Sequence, residues 1–215
     1  MKLGLFGGSF NPIHNAHLRI AAEARAACRL DRVIFIPAAD PPHKPVAGNV
    51  SFEHRAAMVS MAIADNPAYA TSTIEAERRG KSYSIDTIRI FRERCPGDNL
   101  FFIIGADSFL DIGTWHRYSE IFSLCSLVVV NRPGCPINPH DTLPEAARDA
   151  FTVDSATGNL NHSSGTKVFF ITGSPLDLSS TDIRRLVAAG DDITRYVPSE
   201  VAAYILRQRI YQQCQ

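Results

Sequence analysis

Net charge is the first thing this sequence lacks, since 22 lysines and arginines are balanced by 22 aspartates and glutamates. A chain without a basic excess has no overall electrostatic footprint for nucleic acid, although a local cationic cleft stays open to it. Cysteine is scarce and odd in number, with Cys28, Cys95, Cys125, Cys135 and Cys214 showing no Cys-x-x-Cys spacing. That argues against a disulfide framework and for free structural thiols in a reducing compartment. No uncharged run reaches the length of a membrane span, and no basic segment followed by a long apolar stretch opens the chain. No membrane partner is therefore expected, and the cytoplasm is the expected location. Internal repeats and low-complexity tracts are missing, as is any cluster of Cys, His and acidic residues at metal-ligand spacing. What remains is 45% hydrophobic and 20% charged over 215 residues, enough for one main globular core.

Residues 3 to 20 organise the rest: Leu3-Gly4-Leu5-Phe6-Gly7-Gly8-Ser9-Phe10-Asn11-Pro12-Ile13-His14-Asn15-Ala16-His17-Leu18-Arg19-Ile20. Leu3 to Phe6 is a short apolar run stopped by glycines, as a buried parallel strand is. Leu18 to Cys28 is alanine-rich, with Ile20, Ala24 and Cys28 at helical spacing. In a strand-loop-helix unit, glycines let backbone amides approach a phosphate, and the helix N-terminus adds partial positive charge. Asn15 as N-cap puts His17 in the first turn and His14 just before it, so both imidazoles face what the loop holds. Histidines three apart are, taken alone, more often packing residues than ligands. The Gly-Gly-Ser prefix reverses that preference.

Val33 to Pro37 predicts a second buried strand. It leads into Ala38-Ala39-Asp40-Pro41-Pro42-His43-Lys44-Pro45, where three prolines restrict the backbone around His43 and Lys44. Such rigid cations suit a phosphate or an ordinary surface turn. A helix is expected over Phe52 to Ala64 with Arg55 near its start, then a strand at Thr71 to Glu75. Another helix follows at Ile85 to Arg94, with Ser82 and Ser84 as capping serines. Leu100 to Ile104, Ser126 to Val130 and Lys167 to Ile171 read as further strands. Asp107 follows the first of these, placed for hydroxyls or for a simple N-cap, and Arg132 follows the second. The cluster Trp115-His116-Arg117-Tyr118 is more often core or surface filler than a stacking platform. From Cys135 to Thr166 the periodicity dissolves, apart from a short helix at Pro144 to Ala150, and a long surface excursion is expected there. Ser179, Ser180 and Thr181 open a helix ending at Gly190, with Arg184 one turn in. Capping explains one hydroxyl, and anion binding the set. A last helix, Pro198 to Gln212, reads as structural. Strands alternating with helices predict a single α/β domain over residues 1–215, a doubly wound, Rossmann-like parallel sheet with helices on both faces. Ligands of such sheets lie outside the carboxyl ends of the strands.

With those residues assembled, the chain closely resembles the bacterial nicotinate-nucleotide adenylyltransferases, within the nucleotidyltransferases marked by a His-x-Gly-His motif. The carriers are G-G-S-F-N-P-I-H-N-A-H-L, P-P-H-K, S-Y-S-I-D-T, G-A-D-S-F, T-W-H-R-Y, N-R-P-G and S-S-T-D-I-R. They span nearly the whole chain in the family's order. It departs from the pattern at Ala16, where the motif has glycine, and at Asn11, where aspartate is frequent.

The resemblance implies transfer of the adenylyl group of ATP to nicotinate mononucleotide, with Mg²⁺ carried by the nucleotide. It gives His14, His17, Lys44 and Arg184 catalytic roles. ATP would be held by Gly7, Gly8, Ser9, Phe10, His14, His17, Gly105, Asp107, Ser180, Thr181 and Arg184. The mononucleotide would be held by His43, Lys44, Tyr83, Ser84, Trp115 and Arg132. Two other functions fit the same core motif: an adenylyl or cytidylyl transferase acting on another phosphate acceptor, and a non-catalytic nucleotide-binding module. The Ser-Tyr-Ser block and Trp115 favour the pyridine-nucleotide branch. Nothing in the sequence separates a monomer from a homo-oligomer.

Overall fold

The computed structural model describes residues 1–42, 47–131, 142–173 and 179–212. Its strands are β1 (Lys2–Gly8), β2 (Arg32–Pro37), β3 (Tyr69–Thr71), β4 (Asn99–Gly105), β5 (Ser126–Asn131), β6 (Phe151–Val153), β7 (Leu160–His162) and β8 (Lys167–Thr172). The α-helices are α1 (Asn15–Cys28), α2 (Phe52–Ile63), α3 (Ser84–Arg94), α4 (Ala106–Leu110), α5 (Tyr118–Leu124), α6 (Ser180–Ala189) and α7 (Ser199–Arg207). The strands form one sheet in the order β3-β2-β1-β4-β5-β8-β7-β6. The doubly wound α/β class expected from the alternation is the class observed.

The chain clusters into two compact units: Met1–Gly7, Ile20–Val33 and Tyr83–Pro175 make the first, and Gly8–Arg19, Ile34–Ser82 and Leu176–Gln215 the second. In the first unit β1, β4, β5 and β8 pair in parallel, with Leu5 opposite Phe102, Ile103 opposite Val128 and Val129 opposite Phe170. Leu100 to Ile104 are buried at every position, which is why β4 shows no apolar-polar alternation in the sequence. Leu5, Ile85, Ile88, Phe109, Phe122 and Leu127 complete that core. The stretch that loses periodicity is partly folded. A 3₁₀ turn covers Glu145–Ala150, and β6 and β7 pair antiparallel with each other and β7 with β8. These strands, three residues each, are too short to show a period of two, yet Leu143, Phe151 and Leu160 are buried.

In the second unit Phe10, Ile13, Phe35, Met58, Ile183 and Ile205 form the core. Strand β3 lies two residues earlier than the sequence suggests, because a turn closed by the Ala76 N–H on the Thr73 carbonyl takes over at Thr73. Helix α7 stops at Arg207 rather than Gln212. The Ile210 N–H reaches back to the Ile205 carbonyl, and that of Arg209 to Leu206, while Arg209 adopts φ 53°. This is a Schellman end with arginine in the left-handed position that glycine usually fills, as Gly190 does after α6.

Among the described cysteines Cys28, Cys95 and Cys125 are free. Burial pushes the Cys28 thiol up to about 11 and the Cys125 thiol up to about 12, which makes both inert. No helix among the described residues is long and apolar enough to cross a membrane.

Candidate functional site

The loop between β1 and α1 is held by its carbonyls. The Gly8 carbonyl accepts from the Ala38 N–H at 2.8 Å, and that of Ser9 from the Arg55 guanidinium at 2.8 Å. The Asn11 carbonyl accepts from Arg184 at 2.8 Å, and that of Pro12 from the Ser180 hydroxyl at 3.0 Å. Phe10, 1% exposed, sits at φ 44°, a left-handed conformation that costs free energy for a bulky residue. Its ring fills the space over Gly8, where an added Cβ would stand 3.1 Å from it. A side chain at position 8 would press on that buried ring, which favours glycine there.

Helix α1 starts at Asn15, so His14 is its N-cap residue and its carbonyl receives the Leu18 N–H. The Asn15 side chain does not cap. Its amide donates to the Arg195 carbonyl at 3.1 Å, and its backbone N–H to that of Tyr196. His17 occupies the third helical position, and its Nδ1 accepts the His14 backbone N–H at 3.3 Å, the acceptor half of a capping box made by an imidazole. A ring nitrogen that accepts is unprotonated, so a neutral His17 carries its proton on Nε2. The two imidazoles lie 3.8 Å apart between centroids, and Phe10 meets His17 edge-on. Burial lowers the pKa of His14 to about 4; burial and then the neighbouring His14 hold that of His17 well below its usual value. Both are neutral at pH 7. The Nδ1 of His14 is buried with no hydrogen-bond partner, and an orphan of this kind is common where a ligand completes a site. The first turn of α1 has no acidic residue, leaving its positive dipole end uncompensated. Ala16, in place of the motif's glycine, is buried within that turn.

Three hydroxyls meet at the start of α6, as the sequence suggests, and each has its own task. Ser179 caps the helix in a box with Asp182, Ser180 holds the Pro12 carbonyl, and Thr181 accepts from Arg184 at 3.0 Å. Arg184 therefore spans Thr181 and Asn11. The Asn11 side chain, 3% exposed, donates to the Ala47 carbonyl at 2.8 Å and accepts from the Tyr211 hydroxyl at 2.6 Å. An aspartate there would set an acceptor against the Ala47 carbonyl, which gives this chain a reason for asparagine.

Sequence reasoning missed Tyr211 in this unit, noted Arg55 only as lying near a helix start, and took Ser82 for a helix cap. Arg55 is 1% exposed. Its spacing to Met58 and Val59 on one apolar face was the available signal. Ser82 caps nothing. Its hydroxyl accepts the N–H groups of Ala39 and Asp40, each at 3.0 Å, and its own N–H donates to the Asp40 carbonyl. His43 and Lys44 lie outside the described residues, as does Arg132.

The first unit carries the other sequence candidates. Gly7 is half-buried at the end of β1, Gly105 precedes α4, and Asp107 is exposed in its first turn without capping it. Ser84 is the first residue of α3 rather than its cap; Tyr83 stands at the N-cap with no side-chain capping bond. The Tyr83 ring packs on His116 with centroids 4.4 Å apart, and Trp115 stands edge-on to Phe102 at 6.2 Å. His116 was not singled out in the sequence, where nothing distinguishes it from its neighbours. Among the described residues no group of three or more His, Cys, Asp and Glu side chains comes together to hold a metal ion.

Residues 5–186 match the cytidylyltransferase-like family model. The chain is 56% identical to the probable nicotinate-nucleotide adenylyltransferase of Pelobacter propionicus over 215 residues, all of both chains. Its fold is similar to that of the Plasmodium falciparum nicotinic acid mononucleotide adenylyltransferase. The structure of that protein complexed with NaAD has a TM-score of 0.75 at 18% identity, covering 98% of this chain and 97% of that one. The structure complexed with APC has a TM-score of 0.73 at 17% identity, covering 98% and 96%.

Proposed function

The chain belongs to the cytidylyltransferase-like family. From that premise we infer that it transfers the adenylyl group of ATP to nicotinate mononucleotide, giving nicotinic acid adenine dinucleotide and pyrophosphate in NAD biosynthesis. The observation that carries this inference is the pair of neutral imidazoles at the start of α1, beside the carbonyls that Arg184 and Ser180 hold.

The attacking group is a phosphate monoester whose second pKa near 6 leaves it mostly dianionic at neutral pH, so no strong protein base is needed. Catalysis then consists of positioning and charge stabilisation. Neutral His17, with Nδ1 occupied by the His14 N–H, offers its Nε2–H to the α-phosphoryl oxygens, and His14 stands beside it. A neutral donor of fixed orientation has no reorganisation to undergo as charge develops.

Arg184 has five N–H donors and spends two guanidinium nitrogens on Asn11 and Thr181, so further hydrogens remain for the β and γ phosphates. Ser180 and Thr181 join it there, and the backbone from Gly7 to Phe10 lies along the triphosphate. Gly105 and Asp107 take the ribose. Lys44, with His43 near it, bridges the triphosphate and the mononucleotide phosphate, and Arg132 binds that second phosphate, while Tyr83, Ser84 and Trp115 bind the nicotinate ring. Mg²⁺ arrives on the nucleotide as part of the substrate. The setting is the cytoplasm.

The test is pyrophosphate release by the purified chain with ATP and nicotinate mononucleotide, against ATP alone, nicotinamide mononucleotide and other phosphate acceptors. Rapid release with nicotinate mononucleotide is expected. Faster release with another acceptor makes this a related transferase, and ATP binding without release makes it a non-catalytic module.

A further inference from the structure

The segment that follows α7 reaches back to the loop between β1 and α1. After α7, Tyr211 adopts φ 65°, and its hydroxyl donates to the Asn11 Oδ1 at 2.6 Å. Its ring lies 3.6 Å from where a Cβ on Gly48 would stand. Asn11 is gripped at both ends of its amide, by Tyr211 and by the Ala47 carbonyl, and its own carbonyl is the anchor of the Arg184 guanidinium. The next carbonyl, that of Pro12, anchors Ser180. Fixing the Asn11 side chain therefore fixes the two consecutive carbonyls on which α6 places its phosphate-binding groups.

We propose that Tyr211 is a positioning residue for ATP: acting through Asn11, it holds the Arg184 guanidinium where the β and γ phosphates meet it. Tyr211 is half-buried and makes this link with a phenol that stays protonated, because burial pushes its pKa above the usual value despite nearby Arg184 and Arg55. A protonated phenol donates to Asn11 throughout the working pH range. The inference rests on ATP being the ligand of the Arg184 end of the site, as the proposed reaction requires.

The experiment is titration calorimetry of ATP and of nicotinate mononucleotide, each with Mg²⁺ in the buffer, on the full chain. The proteins are the parent, Tyr211→Phe, Arg184→Lys and the double variant. Tyr211→Phe keeps the ring and removes only the donor. It is expected to weaken ATP about fivefold to tenfold, the effect of one misplaced hydrogen bond, and to leave the mononucleotide Kd unchanged. In the Arg184→Lys background the same change is expected to add nothing, since residues acting through one group are not additive. Parental ATP affinity in Tyr211→Phe, with or without a lower Tm, overturns the proposal, and so do losses that multiply in the double variant. Pyrophosphate release by the parent chain tests the reaction separately. If it fails while ATP still binds, the ATP Kd series still decides the role of Tyr211.

Discussion

The backbone N–H of His14 donates to the Nδ1 of His17 at 3.3 Å, so one bond both caps α1 and sets the tautomer of the second imidazole. Protonating His17 at Nδ1 destroys that bond, and protonating His14 places charge on a buried ring. Both folded-state pKa values lie below the ordinary histidine value, that of His14 at about 4. The unfolded chain therefore binds more protons just below pH 6.5, and stability rises with pH across that window. The stabilisation is fully present above about pH 6.5 and is lost as pH falls toward 4. For His14 alone, linkage gives a loss of about 2 kcal/mol between pH 7.5 and pH 5. Urea unfolding midpoints at those two pH values check this, and His14→Gln is expected to flatten the difference.

His17→Ala separates structure from chemistry. Losing one preorganised donor in a site of this kind costs about 2.7–4 kcal/mol of transition-state stabilisation, a fall of about 10²–10³ in kcat. The lost cap acceptor costs about 1 kcal/mol of stability, which a folded domain tolerates. Circular dichroism and pyrophosphate release on one preparation read both. A folded variant with near-normal turnover removes His17 from the mechanism.

The parallel strands and both ends of α6 were legible because buried strands read as unbroken apolar runs and because Ser179 and Gly190 are ordinary cap residues, whereas the start of α1 was read one residue late, since a histidine at the cap position carries no such signal. The end of α7 was not legible, since Arg209 occupies a left-handed position with no glycine to announce it. Strands β6 and β7 were hidden by their length of three residues. In the site, the types and spacing of His14, His17, Ser180, Thr181 and Arg184 pointed to phosphate, whereas their present partners did not show. Those partners are loop carbonyls, and a carbonyl has no signature in the sequence. Tyr211 contacts Asn11 from 200 positions away, a separation that no local pattern encodes.

Arg55 is expected to support the site from below. It is 1% exposed, its guanidinium holds the Ser9 carbonyl, and its Nε has no partner. Arg55→Met keeps most of the apolar stem but leaves that carbonyl unpaired, at a cost of about 1–3 kcal/mol. With Ser9 no longer fixed, ATP binding weakens as well. Urea unfolding and ATP titration on the same variant check the two effects. Unchanged stability means the guanidinium is offset by its own desolvation cost.

Two serines two residues apart are expected to behave oppositely. Ser82 is 8% exposed and accepts the N–H groups of Ala39 and Asp40, so Ser82→Ala strands two donors and costs about 1–3 kcal/mol. The exposed Lys81–Asp40 ion pair beside it cannot compensate. Ser84 opens α3, and that helix has no side-chain capping bond, so Ser84→Ala changes stability by less than about 0.5 kcal/mol. If Ser84 contacts the mononucleotide, its removal raises the KM for that substrate and leaves the KM for ATP alone. Thermal unfolding ranks the pair, and steady-state kinetics with each substrate varied in turn assigns the difference. A large stability loss in Ser84→Ala with unchanged kinetics would instead make it a capping residue and take it out of the substrate site.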